Sequence, residues 1–207
     1  MKQILVIDRE FGAGGSTIAE KIARRLGWRL LDHALTEEIA RLASVPPEVC
    51  ARGEERLDPW MHRLAKIIWR GSYQQNIPPP DLTSFDTDRL VALVQQVVGR
   101  AVETSPCIVV GRGSPYFLRH RTDTFCVFLY APRELRFRRV LSRVKNEAEA
   151  VELVDRTDDE RRKFVKYYFD SEWPDRHLFH AMLNTSIGDE ATADAVLFLM
   201  NRADHAT

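Results

Sequence analysis

A glycine-rich turn set between a short buried strand and an amphipathic helix limits this chain to a small set of folds. Gln3 to Ile7 is an apolar run rich in Ile and Val, the pattern of a fully buried strand. Gly12-Ala13-Gly14-Gly15 follows, and then Ile18, Ile22 and Leu26 recur at four-residue spacing with Ala19 and Ala23 beside them. That spacing makes one helical face apolar, and Gly27 stops the helix as a C-terminal cap. Trp28 to Leu31 reads as a second strand ending at Asp32. Strand, glycine turn, helix and strand open a doubly wound parallel sheet. Glycines let the backbone approach a ligand, and the helix N-terminus supplies free N–H groups and partial positive charge. Such a turn is built for phosphate.

The alternation continues down the chain. Leu90, Leu93, Val94, Val97, Val98 and Ala101 form an amphipathic helix, Cys107 to Val110 a buried strand closed by Gly111, and Thr124 to Ala131 another strand. A helix with Phe137, Val140, Leu141 and Val144 on one face follows, then a short strand at Met182 and Leu183 and a closing helix over Ala191 to Met200. The order predicts one α/β domain over 1–207, a three-layer, doubly wound parallel sheet. Two stretches depart from it. Ser44 to Asp86 carries Pro46-Pro47, Pro59 and Pro78-Pro79-Pro80 around a predicted helix with Trp60, Leu64, Ile67 and Ile68, so 44–86 reads as an inserted helical segment bounded by stiff connectors. Ser142 to Trp173 is highly charged and then aromatic.

Charge and composition narrow the function. Thirty Lys and Arg balance thirty Asp and Glu, and without a basic excess the chain has no electrostatic case for a nucleic-acid partner. The longest strongly apolar run, Phe125 to Ala131, falls far short of the roughly 20 residues of a membrane helix. The opening MKQILVIDRE has no secretory pattern. The expectation is a soluble, cytoplasmic protein with no membrane partner. Cys50, Cys107 and Cys126 show no metal-ligand spacing, and the last two sit in strand-like runs where a thiol acts as a small core residue. The histidines are scattered, and His177 and His180 lack partners that would complete a metal set.

Two ligand classes use a turn of this kind. The dinucleotide pattern G-x-G-x-x-G/A takes Gly12 and Gly14 but meets Thr17 at its third position, where a β-branched residue obstructs helix–strand packing. Asp32, 20 residues after Gly12, stands where a ribose-binding acid belongs. The mononucleotide pattern G-x-x-x-x-G-K-[ST] places Gly14 as its last glycine and Ser16 as its hydroxyl, with Gly15 at the lysine position and Arg9 at the first glycine. The loop therefore has the right length without its lysine. Arg9 has two readings, both open: a replacement for that charge, or a surface arginine pairing with Asp8 or Glu10.

The segment Asp8-Arg9-Glu10-Phe11-Gly12-Ala13-Gly14-Gly15-Ser16-Thr17-Ile18-Ala19, with Leu26-Gly27 and Asp32, resembles the start of the cytidylate kinase-like family. This is a bacterial branch of the P-loop nucleoside monophosphate kinases that opens with R-[EQ]-[FY]-G-[AS]-G-G in place of a lysine loop. Val110-Gly111-Arg112-Gly113 is similar to the Gly-Arg-Asp element of cytidylate kinases, where arginine and aspartate hold the nucleotide; Arg112 matches and Gly113 does not. Arg136, Arg138, Arg139 and Arg143 resemble the arginine-rich helix leading into the lid. Asp158-Asp159-Glu160-Arg161, Phe164, Tyr167-Tyr168, Trp173 and Leu183-Asn184-Thr185-Ser186 resemble the lid and closing pattern. The resemblance implies a P-loop NTPase fold of nucleotide-kinase type, with 44–86, by position, as a monophosphate-binding insertion and 142–173 as a lid; the tryptophans within 44–86 leave a dimer-forming role for it open as well.

It also implies a phosphotransferase moving the γ-phosphate of ATP, with Mg²⁺, to a nucleoside monophosphate, CMP or dCMP first. Gly12, Ala13, Gly14, Gly15, Ser16 and Thr17 would cradle the donor, with the Ser16 hydroxyl on the metal. Asp32, Arg112, Arg156 and Asp158 would hold substrate, and Arg9, Arg139, Arg143 and Arg161 would supply catalytic charge. Plainer readings stand beside these. The Arg136–Arg139–Arg143 face can be a solvated helix face balanced by Glu147, Glu149 and Glu152; Asp32 can cap a helix starting near Thr36; 156–163 can be a charged surface helix; and Tyr167, Tyr168 and Trp173 can be packing. The rival functions are a kinase of another small molecule, a non-catalytic nucleotide-binding module, and an NAD-dependent Rossmann protein. Trp60 and Trp69 leave a homodimer contact open.

Overall fold

The computed structural model describes residues 2–31, 87–104, 106–144 and 146–204. Asp32, the 44–86 segment with Trp60 and Trp69, and Cys50 lie outside the described residues. Strand β1 (Ile4–Arg9) leads through the glycine turn into α1 (Gly15–Leu26) and β2 (Arg29–Leu31). Helix α2 (Thr87–Val102), β3 (Cys107–Val110), the short α3 (Ser114–Phe117) and β4 (Thr124–Tyr130) come next. Helices α4 (Arg133–Leu141) and α5 (Glu147–Phe169), strand β5 (Ala181–Asn184), a 3₁₀ turn at Thr185–Ile187 and α6 (Asp189–Asp204) complete the chain.

The strands form a parallel sheet in the order β2-β3-β1-β4-β5. Both faces are covered, so the strands read as continuous apolar runs. Alternate residues divide between two cores. Ile4, Val6, Cys107, Val109, Cys126 and Phe128 face α2, α3 and the aromatic end of α5, while Leu5, Ile7, Ile108, Val110, Phe125 and Val127 face α1 and α6. This is the three-layer arrangement expected from the alternation. Burial raises the thiols of Cys107 and Cys126, to about 11 and about 12, so both are inert core groups.

Two differences from the sequence expectation matter for the site. Strand β1 runs two residues further, through Asp8 and Arg9, because β4 continues to pair beside it (Asp8 with Phe128, Arg9 with Leu129). Both side chains are thereby buried, which removes the reading of Arg9 as a surface arginine. Helix α5 is likewise no surface helix at 156–163: Thr157, Asp158, Glu160 and Arg161 are buried on its inner face. Of the three aromatics read as packing, Trp173 is buried and Tyr167 is 68% exposed. No helix among the described residues is long and apolar enough to cross a membrane.

The edge strand β5 is fastened by His180. Its amide donates to the Cys126 carbonyl (2.8 Å), and its Nδ1 accepts from the Cys126 amide (3.0 Å). Accepting at Nδ1 requires an unprotonated nitrogen there. Burial first, and the Lys2 charge second, hold the His180 pKa below the ordinary histidine value. A depressed folded pKa means stability that is present above the unfolded value of about 6.5 and lost as pH falls through the lower folded value. Thermal melts across this range should show the wild type losing more stability towards acid than His180→Gln. Parallel pH profiles for the two would disprove the assignment.

Candidate active site

The glycine turn is shaped by what lies against it. Gly12 and Gly14 have φ of 81° and 86°, a left-handed backbone that residues with a Cβ rarely adopt. A Cβ on Gly12 would lie 2.9 Å from the Arg136 carbonyl oxygen and 3.0 Å from Val140 Cγ2, so the loop is pressed against α4. Glu10 ties the entrance, its carboxylate accepting from the Ala131 amide (3.1 Å) and pairing with Arg136 (3.2 Å). Gly14 is the N-cap of α1 without a side-chain cap. The amides of Gly12 and Gly14 make no hydrogen bond among the described residues. Ser16 and Thr17, half-buried, occupy the second and third positions of α1.

Arg9 accounts for two other glycines. A Cβ on Gly15 would lie 2.9 Å from Arg9 Cγ, and one on Gly111 would lie 1.8 Å from Arg9 Nη1. The side chain therefore crosses over position 15 and sets its guanidinium against the end of β3. This explains the missing lysine in steric terms. Position 15, where the usual loop carries lysine, has no room for a Cβ while Arg9 takes this path.

The inner face of α5 closes on the same loop. Asp158 Oδ1 accepts from the Phe11 amide (2.8 Å) and from Arg161 Nη1 (3.2 Å), and Oδ2 accepts from Arg136 Nη1 (2.5 Å). Arg161 Nη1 also donates to the Arg9 carbonyl (2.7 Å), and its guanidinium lies about 6 Å from the rings of Phe11 and Trp173. Burial, and then the neighbouring Arg9 charge, pull the Arg161 pKa down to about 10. It remains a cation at neutral pH, in a place where two guanidinium groups share little solvent. Asp8 answers from β1, accepting from its neighbour Arg9's amide (3.0 Å) and from Trp173 Nε1 (2.9 Å).

Arg112 is buried too, and follows directly on the Gly111 against which the Arg9 guanidinium lies. Gly111, Arg112 and Gly113 have φ of 67°, 60° and 70°. A non-glycine residue held there costs on the order of 1–3 kcal/mol, and such strain clusters at functional sites. A Cβ on Gly113 would lie 3.2 Å from Phe117, 3.3 Å from Phe169 and 3.5 Å from Phe164. The position where cytidylate kinases carry aspartate is thus ringed by aromatics in a backbone that disfavours side chains.

The remaining predicted residues divide. Arg139, expected to face transferring phosphate, donates from Nη1 to the Ala13 carbonyl and the Thr185 hydroxyl (both 2.9 Å) and from Nη2 to Asp189 (2.8 Å). Asp158, expected to hold substrate, has both oxygens turned to the loop and the arginines. Arg156 pairs with Glu152 and Glu160. Arg143 is exposed beyond α4 and makes no side-chain hydrogen bond or ion pair among the described residues. Asp8, Glu10 and Thr185 stood in the sequence only as members of motifs, without a site role; Trp173 was read as part of the lid pattern or as packing, and Arg136 as part of the arginine-rich helix face.

The topology separates the two ligand classes left open by the glycine spacing. In the usual dinucleotide order β2 lies next to β1; here β3 does. A family model described as the cytidylate kinase-like family matches residues 4–187. No curated protein matches the sequence. Among solved structures, an uncharacterized protein from Eubacterium ventriosum is similar at a TM-score of 0.69 and 16% identity, covering 97% of this chain and 99% of that one. A gluconokinase from Sinorhizobium meliloti is similar at 0.55 and 15% (100% and 97% covered), and a shikimate kinase from Acinetobacter baumannii, in complex with shikimate, at 0.52 and 17% (98% and 94%). These likenesses establish a P-loop kinase fold.

Proposed function

Since the chain belongs to the cytidylate kinase-like family, we propose that it moves the γ-phosphate of ATP to a nucleoside monophosphate, with CMP or dCMP first in order. One observation carries the reading. Arg9 runs from the end of β1 across Gly15 to Gly111, which sets a fixed cation against both the start of α1 and the residue that precedes Arg112, itself expected to grip the acceptor.

In the reaction an acceptor oxygen forms the new bond to the γ-phosphorus while the bond to the β–γ bridging oxygen breaks and ADP leaves. Little covalent work falls to the protein, so positioning and positive charge decide the rate. The loop amides of Gly12 and Gly14 suit the donor phosphates. Ser16 would hold Mg²⁺, which would neutralise charge between the β- and γ-phosphates. Arg161 and Arg9, in a poorly solvated place, would meet charge developing on the transferred group more strongly than exposed arginines could. Closure by the α4–α5 region would exclude water and favour transfer over hydrolysis.

A second reading rests on Gly113. Without a carboxylate beside Arg112, the acceptor can be a different small hydroxylated anion, of the kind that the shikimate kinase and gluconokinase names denote. ADP release with ATP and Mg²⁺ tests both. The panel holds nucleoside monophosphates, shikimate and gluconate, with a no-acceptor control. Turnover with CMP or dCMP above the control supports the first reading, and turnover only with a hydroxy acid the second. Silence throughout, with ATP binding intact by calorimetry, would leave the non-catalytic nucleotide-binding module.

A further inference from the structure

We propose that Thr185 and Arg139 are positioning residues for the donor loop, acting through a single carbonyl, that of Ala13. The inference rests on the kinase reading above and assigns these two side chains a task the reading did not give them.

Thr185 and Ala13 are fully buried, though 172 residues separate them. The Thr185 hydroxyl donates to the Ala13 oxygen at 2.8 Å. Arg139 Nη1 donates to that same oxygen and to Thr185 Oγ1, both at 2.9 Å. One hydroxyl can do this, since it has one proton to give and lone pairs to receive. The arginine is steadied by Asp189 at the start of α6 (2.8 Å). The threonine is steadied by its own turn: Asn184 Oδ1 accepts from the Ser186 amide (3.0 Å), and the Gly188 amide donates to the Thr185 carbonyl (3.1 Å).

A trans peptide points its carbonyl and the next amide in opposite directions. Two donors on the Ala13 oxygen therefore fix the Gly14 amide on the other side, away from the lock. The loop needs such a device. Gly14 adopts φ of 86°, and the freedom that lets glycine do so also makes rotation of the Ala13–Gly14 peptide inexpensive. With the carbonyl held, the ordering is done on folding and is not charged against donor binding.

The test compares Thr185→Val, which keeps the shape and removes the hydroxyl, with Thr185→Ser, which keeps the hydroxyl. Calorimetry with Mg·ATP and with inorganic tripolyphosphate reads the loop, and melts confirm folding. Thr185→Val should bind both about tenfold more weakly, and Thr185→Ser within about twofold of wild type. KM for ATP should rise without KM for the acceptor. Arg139→Gln should weaken binding too, and its effect should shrink in the Thr185→Val background because both act on one oxygen; should Thr185→Val not fold, Arg139→Gln alone must show the ATP-selective loss. Equal binding by Thr185→Val and wild type, equal weakening by Val and Ser, or additive effects would overturn the inference. A wild-type chain that binds neither ATP nor tripolyphosphate would overturn the kinase reading and this inference with it.

Discussion

Replacing Arg9 with methionine is expected to lower kcat for phosphoryl transfer by about 10² to 10³, the range seen when one preorganised charge or donor is taken from a transition state. Methionine keeps much of the stem that packs over Gly15, so the change removes mainly the guanidinium set against Gly111. ATP affinity should change less than kcat, because the loop amides remain. The missing lysine cannot simply be added back. Gly15→Lys in the wild-type chain would bring a Cβ to 2.9 Å from Arg9 Cγ, inside the distance real side chains keep, and should lose activity. Combining Gly15→Lys with Arg9→Ala relieves that contact and should recover part of the rate lost by Arg9→Ala alone. Steady-state kinetics on the best acceptor decides. An Arg9→Met enzyme within about threefold of wild-type kcat would remove Arg9 from the chemistry.

Much of the scaffold was legible because it is written in local periodicity. Ile18, Ile22 and Leu26 announced α1, and Cys107 to Val110 announced β3. The loop's length and hydroxyl were legible for the same reason. What the residues do to one another was not. Helical spacing placed Arg136, Arg139 and Arg143 on a common face, yet Arg136 and Arg139 turn to the glycine loop and Arg143 to solvent. The decisive contacts join residues far apart in sequence: Trp173 to Asp8 across 165 positions, Asp158 to Phe11 across 147. No pattern in a single sequence marks such pairs. Gly111 could be read as the end of a strand but not as the space Arg9 fills. Asp8 was hidden by its neighbours, since an acid at the end of an apolar run looks like the start of a surface loop.

Asp158→Ala is expected to be the most destabilising single change at the site, by about 3–5 kcal/mol, because it strands buried charge. For a domain of this size that corresponds to a fall of roughly 10 °C in melting temperature. The Asp158 and Arg161 side chains are 10% and 9% exposed, so Arg161 would lose a partner that water cannot replace. Arg136 and the Phe11 amide would lose theirs as well. The ion pairs between α1 and α6 provide the comparison. Arg25 with Asp194 has the same chemistry, but Asp194 is 68% exposed, and exposed pairs contribute about 0–1 kcal/mol. Asp194→Ala should therefore change stability little. Asp158→Asn separates charge from shape: it can still accept from the Phe11 amide, yet leaves Arg136 and Arg161 facing a neutral group. It should fall between wild type and Asp158→Ala. Chemical denaturation of the three variants tests the ordering. An Asp158→Ala loss below about 1 kcal/mol, no larger than an exposed pair, would mean that the loop does not depend on α5 for its shape, and that Asp158 is free to hold substrate instead.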